Sequence, residues 1–347
     1  MSAEECEWRV GESAENAGQR ERMEALSRGI IARCRATGFA LAGVCECSPS
    51  EHAEHVRTWF AQGRHGSMAY LARLGEERLD PRRVLPEARA IIVVADQYAP
   101  RGDASPAKRE GVGRVARYAH GEDYHVLIKD RLHALRDELI AEHPGEHFRA
   151  FCDTAPILER EHAQRAGLGW IGKNTLLIHP RLGSYTLLGG LLTSLPLVPP
   201  REQERHEDHC GSCTRCIDAC PTGAISAYSV DASRCISYLT IERREPTPAD
   251  LREKVGDWIF GCDVCQEVCP HNAPVRAAAD DERYAPRVND AYRGPRRGLD
   301  LLAVLGWSAE DRARELRGSA MKRATLEMIR RNAATALENQ RRAAGEA

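Results

Sequence analysis

The sequence predicts an α+β protein with a cysteine-rich insert, and three observations predict it. Apolar strand-like runs alternate with helical periodicities over residues 20–200. Eight of the thirteen cysteines fall between Cys210 and Cys269, and from Gly298 the chain reads as two or three helices.

Residues 1–20 read as a flexible leader, ahead of a helix over 21–36 whose apolar positions are Met23, Leu26, Ile30 and Ile31. A second helix is expected over 51–62. The β-branched run 91–95 suits a buried strand, and the Gly/Pro-bearing stretch 100–113 suits a loop. Leu127, Ile128, Leu132, Leu135 and Leu139 predict a helix over 124–142. The run 148–152 is strand-like and delivers Asp153 to its end. A glycine-punctuated segment from Gly167 to Asn174 and an apolar run over 184–192 follow, then a charged, Pro-bearing junction from Pro196 to His209. The expected domains are a core over 21–200, the insert over 201–285 and a helical segment over 286–347. No internal repeat is present.

The insert carries the strongest motif. Cys210-Gly-Ser-Cys213-Thr-Arg-Cys216-Ile-Asp-Ala-Cys220-Pro221 has the C-x₂-C-x₂-C-x₃-C-P spacing in which three thiolates hold one [4Fe–4S] cluster and the fourth reaches another. Cys262-Asp-Val-Cys265-Gln-Glu-Val-Cys269-Pro270 repeats the tail but has Ile259 where its leading cysteine would stand, and Cys235 can fill that gap. Exchanging the fourth cysteines gives Cys210, Cys213, Cys216 and Cys269 on one cluster, and Cys220, Cys235, Cys262 and Cys265 on the other. Zinc would use paired C-x₂-C motifs but explains neither the x₃-C-P endings nor the fourth cysteines. A disulfide framework does not suit a chain that opens without a secretory signal. Cys6, Cys34, Cys45, Cys47 and Cys152 have no ligand spacing and are expected to be free thiols.

With 347 residues and 42 % hydrophobic content there is enough chain for two or three packed domains. Neither a targeting signal nor an apolar stretch of membrane-spanning length is visible, so a cytoplasmic protein without a membrane partner, and a monomer, is expected. The formal net charge of −2 excludes non-specific coating of nucleic acid, yet the tail from Ala291 has twelve Lys or Arg against seven Asp or Glu. No G-x-G-x-x-G follows a strand and no P-loop is present, which removes the common nicotinamide and nucleotide folds. The clusters mark an electron carrier, and the large domain ahead of them calls for a second cofactor or a redox partner.

Six strings carry a family resemblance. They are His65-Gly-Ser-Met-Ala-Tyr-Leu-Ala-Arg73, Arg117-Tyr-Ala-His-Gly-Glu-Asp-Tyr-His125, Asp153-Thr-Ala-Pro156-Ile-Leu-Glu-Arg, Ala166-Gly-Leu-Gly-Trp170-Ile-Gly-Lys173-Asn174, Arg234-Cys-Ile-Ser237-Tyr-Leu-Thr-Ile241 and Arg317-Gly-Ser-Ala-Met-Lys-Arg323. Colinear over about residues 25–340, they resemble the epoxyqueuosine reductases, enzymes of tRNA queuosine synthesis distantly related to reductive dehalogenases. The resemblance implies a nitroreductase-like α/β core that binds cobalamin over 21–200, a ferredoxin-like domain with two [4Fe–4S] clusters, and a short helical C-terminal segment. It implies reduction of epoxyqueuosine in the tRNA anticodon loop by Co(I) cobalamin, fed through the clusters by a low-potential donor of flavodoxin or ferredoxin type. Longer members continue into a helical-repeat domain, whereas this sequence stops soon after Asn339, so tRNA contact through such a domain is not expected.

The resemblance also implies a proton donor at Asp153, whose carboxyl burial beside the corrin would keep protonated. The bland reading of Asp153 is a turn or helix cap. Implied cobalamin contacts are Arg73, Tyr118, Asp153, Asn174, Leu177, Ser184, Leu188, Ser237 and Asp263; ordinary surface or core roles compete at each. Arg317, Lys322 and Arg323 are the expected tRNA contacts, although Arg-rich helices are mostly solvated faces. His125 is a weaker candidate. Asp123-Tyr-His125 is followed by Val-Leu-Ile128, not by the glycine of D-x-H-x-x-G, so no histidine ligand to cobalt is expected. A dehalogenase-like corrinoid enzyme and a ferredoxin-type electron-transfer subunit are the competing functions.

Overall fold

The structure, a computed structural model, describes residues 14–103, 108–274 and 285–345. In chain order its strands are β1 (Leu41–Glu46), β2 (Ala90–Gln97), β3 (Val112–Val115), β4 (Phe148–Phe151), β5 (Trp170–Ile171), β6 (Leu177–Ile178), β7 (Thr186–Thr193), β8 (Ile225–Ser226), β9 (Ser229–Val230), β10 (Trp258–Phe260) and β11 (Gly298–Asp300). The main sheet is antiparallel in the order β1-β2-β7-β4, with Ile92 opposite both Val44 and Leu191.

Every residue of β2 is buried, which is why its sequence is apolar without alternation from Ala90 to Ala95, before the buried polar Asp96 and Gln97. One face of the sheet (Val44, Ile92, Val94, Leu191) packs on the Ala14–Ala36 and Tyr124–Glu142 helices through Ile30, Ile128, Leu132 and Leu135. The other face (Ile91, Val93, Leu192) packs on the Glu159–Arg165 helix through Ala163. The core is thus a helix–sheet–helix sandwich.

The first helix starts at Ala14, inside the expected leader. Its early turns lack apolar periodicity but are held by charge pairs: Arg20 and Arg28 both bond Glu24 at 3.1 Å. Strand β1 carries no β-branched signature except Val44, its other residues being Leu41, Ala42, Gly43, Cys45 and Glu46, and packing against β2 forms it. Cys6 lies outside the described residues, while Cys34, Cys45, Cys47 and Cys152 are buried free thiols.

A second, three-stranded sheet in the order β10-β3-β11 draws one strand from each expected domain. Behind it Ile259, Phe260, Leu301, Val304, Met321 and Ile329 form a core. Ile259 is fully buried there, which gives a packing reason for isoleucine where a cysteine would complete the second motif. The C-terminal helix Leu326–Ala344 closes this core, and Asn332 Nδ2 donates to the carbonyls of Thr240 and Ile259 at 2.8 and 2.9 Å. The helical tail is therefore bound into the cluster-bearing part of the fold. Among the described residues no helix is long and apolar enough to cross a membrane.

Candidate cluster sites and catalytic cleft

The two cysteine runs fold alike, each through one short helical turn, Arg215–Asp218 and Val264–Glu267. Cys210, Cys213, Cys216 and Cys269 line one cavity of about 30 Å³, together with Lys173, Asn174, Ile178 and His271. Lys173 Nζ fastens the loop of the first run by donating to the carbonyls of Gly211 (2.5 Å) and Cys213 (3.1 Å). Burial pushes the Cys269 thiol up, and the nearby Cys210, Cys216 and Cys213 push it further. Burial acts in the same way on Cys262, with Cys265 and Cys235 as its cysteine neighbours, and on Cys265, which faces Cys235, Cys216 and Cys220. Thiols crowded like this become thiolates when a cationic iron core offsets their charge. The donor set therefore fits two clusters, and one cavity brings Cys269 together with Cys210, Cys213 and Cys216.

Asp153 follows β4, near the end of the Tyr124–Glu142 helix that carries His125. The φ of Asp153 is +60° and that of Thr175 is +65°, and these are two of the three non-glycine residues with positive φ among the described residues. Such backbone is costly for a side-chain-bearing residue and concentrates at functional sites. Each is pinned: the Asp153 N–H donates to Glu159 Oε1 at 2.6 Å, and Arg160 donates to the Thr175 carbonyl at 2.6 Å. The Asp153 side chain is 60 % exposed yet surrounded by protein groups, which describes a carboxylate on a concave wall.

The Asp153 carboxylate caps no helix; the Glu159–Arg165 helix has Leu158 at its cap and no side-chain bond there. It accepts instead from His125. A chain of contacts runs from Lys322 Nζ to Asp123 Oδ2 (2.7 Å), from Asp123 Oδ1 to His125 Nδ1 (2.7 Å), and from His125 Nε2 to Asp153 Oδ2 (3.0 Å). Asp123 also caps the Tyr124–Glu142 helix by accepting from the His125 N–H. The imidazole lies against the Tyr124 ring, centroids 4.0 Å apart.

Burial opposes charge on His125, but its hydrogen bonds to Asp123 and Asp153 win and raise it to about 9. Burial would raise Asp153, yet His125 outweighs it and holds the carboxyl below its ordinary value. In the protein alone it is thus His125, a cation, and not burial that sets the state of the Asp153 carboxyl. Glu159 behaves as Asp153 was expected to: burial, and then the charge of Asp153, push it up to about 8. Near neutral pH the proton of the pair rests on His125.

The other sequence-selected residues divide between this cleft and the protein interior. Arg73 is exposed at the end of the Ala69–Arg73 helix, beside Tyr70, over whose ring Arg323 lies at 5.9 Å. Gly66 precedes that helix, and a Cβ there would come within 2.6 Å of the Tyr238 ring, whose hydroxyl bonds Ser67 at 2.7 Å. Half-buried Tyr118 is raised by burial first, then by Asp153, Asp263 and Glu242, so it stands between the cleft and the second cluster motif. Ser237 is half-buried just beyond Cys235. Asp263 is buried and accepts from the Arg117 N–H and guanidinium, both at 2.9 Å. Ser184 is buried and bonds Gln266 and Asn272, while Leu177 and Leu188 pack in the sandwich core. Asn174 is on the wall of the first cluster cavity. Arg317 is exposed, whereas Lys322 and Arg323 pair with Asp123 and Glu242 on the cleft rim, each at 2.7 Å. Sequence reasoning missed Asp123 and Glu159 and underweighted His125. The signal for the first was an Asp two residues before a His at a helix start.

A paired cluster domain joined to an α+β core with a carboxylate–imidazole cleft defines an iron–sulfur oxidoreductase. Residues 209–272 match the 4Fe-4S double cluster binding domain, and residues 78–154 match the family described as epoxyqueuosine reductase QueG, DUF1730. The chain is 40 % identical over 316 residues to the epoxyqueuosine reductase of Pseudomonas aeruginosa, covering 88 % of this chain and 83 % of that one. It is 40 % identical over 309 residues to that of Escherichia coli, covering 87 % and 78 %. The chain belongs to the epoxyqueuosine reductase family. Among solved structures, an epoxyqueuosine reductase with a tRNA-Tyr epoxyqueuosine-modified stem loop superposes with a TM-score of 0.80 at 28 % identity, over 93 % of this chain and 83 % of that one. One from Bacillus subtilis, with its catalytic loop swung out of the active site, gives 0.79 at 27 %, over the same shares.

Proposed function

We propose that this chain reduces epoxyqueuosine to queuosine in the tRNA anticodon loop, with Asp153 as proton donor. Family membership supports the reaction, and the Asp153–His125–Asp123–Lys322 chain is the single observation that carries the residue assignment. Two electrons and two protons remove the epoxide oxygen as water and leave a carbon–carbon double bond. When bound, the clusters supply electrons singly and cobalamin supplies a centre of low potential to spend them on the C–O bond.

The protein's own part is proton supply and positioning. His125 holds a proton at Nε2, 3.0 Å from Asp153 Oδ2, and Asp123 fixes the ring so that this nitrogen faces Asp153. Asp153 passes the proton to the oxygen that leaves. Its strained backbone suits a loop that changes position, as in the Bacillus subtilis relative with its catalytic loop swung out. Arg73, Tyr118, Ser237 and Leu188, exposed or half-buried, are available to cobalamin, while buried Asn174, Leu177, Ser184 and Asp263 act from behind. Arg317, Lys322 and Arg323 bring positive charge to the rim where an anticodon stem would lie. A low-potential flavodoxin or ferredoxin serves as donor, and the chain acts as a cytoplasmic monomer.

The test is anaerobic incubation of purified protein with cobalamin, a low-potential reductant and epoxyqueuosine tRNA, followed by nucleoside mass spectrometry. Loss of one oxygen atom from the modified nucleoside is expected. Unchanged nucleoside in the presence of filled clusters and cobalamin overturns the reading.

A further inference from the structure

Two buried side-chain N–H groups at the first cluster site find no nitrogen or oxygen acceptor in the protein. Asn174 is 3 % exposed and lines the cavity of Cys210, Cys213, Cys216 and Cys269, and its Nδ2 is unpartnered. Which end of the amide faces away from the turn is fixed, since Oδ1 accepts from the Leu176 N–H at 3.2 Å. Trp170 is 0 % exposed, and its Nε1–H is also unpartnered. The indole packs with Ile178, Cys269 and Cys210, is gripped edge-to-face by His209 (4.9 Å) and His271 (4.8 Å), and presents its N–H toward the Cys210 sulfur. Leaving a buried donor unsatisfied is costly; the Asn174 amide borders the cavity and the Trp170 N–H faces the sulfur of Cys210, which lines it, so both point to sulfur acceptors at this site.

We propose that Trp170 and Asn174 are the hydrogen-bond donors that set the reduction potential of the cluster held by Cys210, Cys213, Cys216 and Cys269. A [4Fe–4S] cluster offers sulfur acceptors, and N–H donors stabilise its reduced, more negative form, so they raise its potential. Lys173, clamped to the cluster loop, adds positive charge to the same side. Around this cluster Ser212, Thr214, Arg215 and Pro270 are exposed, whereas the second is flanked by buried Asp263. The donors therefore raise the potential of the surface-facing cluster, which suits electron entry from an outside protein.

The proposal rests on the ligand assignment above, and iron analysis separates the two. Trp170→Phe and Asn174→Asp are each titrated by EPR-monitored reduction after eight irons per chain are confirmed. One midpoint is expected to shift to lower potential and the other to stay; Asn174→Asp, which replaces a donor by a charge, should shift it further. Two unchanged midpoints in variants with eight irons overturn the proposal and leave the ligand assignment intact. For a variant that does not hold its iron, the wild-type protein decides. With ¹⁵N-indole tryptophan, pulsed EPR of the reduced protein is expected to show a ¹⁵N coupling at one cluster, and its absence overturns the role of Trp170.

Discussion

The cluster domain and the cleft differ in how their parts are assembled. In the cluster domain the proposed ligands lie within two short runs plus Cys235, because thiolates two or three residues apart in one turn converge readily on a single cluster. In the cleft, Asp123, His125, Asp153, Glu159 and Lys322 come from segments up to about two hundred residues apart, joined only by folding. Coordination chemistry writes itself into local spacing, whereas proton chemistry needs only converging side chains.

The contrast predicts a local, all-or-none failure on one side and graded failures on the other. Cys235→Ser should give the largest effect: about four irons lost per chain and no measurable turnover, with the cluster of Cys210, Cys213, Cys216 and Cys269 still visible by EPR. Full iron and activity would show that another group fills the gap left by Ile259.

Next in size is pH. His125 has a folded pKa raised to about 9 from an ordinary value of about 6.5. Its stabilising ion pairs are therefore complete below about pH 6.5 and lost as pH rises through about 9. Turnover should fall along the same limb, about tenfold per unit above pH 9, as the proton held for Asp153 disappears. Glu159, raised to about 8, titrates nearby. A kcat–pH series should keep the alkaline limb in Glu159→Gln and lose it in His125→Gln; the reverse pattern would make Glu159 the proton store.

The smallest effect belongs to the rim. Reversing Lys322 and Arg323 to Glu should raise KM for tRNA several-fold at low salt, with a weaker salt dependence than wild type. Because Lys322 also holds Asp123, a modest fall in kcat should accompany it. A fall in kcat without any change in KM would confine both residues to the proton chain.

The same contrast explains what the sequence disclosed. The eight cysteines, the buried strand β2 and the Tyr124–Glu142 helix were legible because each has a short-range signature: ligand spacing, an apolar β-branched run and a 3.6-residue period. Strand β1 was not, since Ala, Gly and Cys carry little strand preference and its partner lies some fifty residues on. Nor was the small sheet, where residues 112–115 pair with 258–260 and 298–300. In the cleft, Asp153 was singled out through family resemblance, but its partner was not, because nothing local to the sequence places His125 beside it. Lys322 was expected to meet tRNA, and its bond to Asp123 came into view only with the fold.

The central claim is that Asp153 delivers the proton, and Asp153→Asn tests it most directly. Asparagine keeps the size and can still accept from His125, so the variant should hold eight irons and bind cobalamin like wild type. An amide cannot deliver the proton, and single-turnover conversion of epoxyqueuosine tRNA should fall by about 10²–10⁴-fold. Conversion within a few-fold of wild type, with clusters and cobalamin in place, would contradict the account and leave the proton to His125 or water.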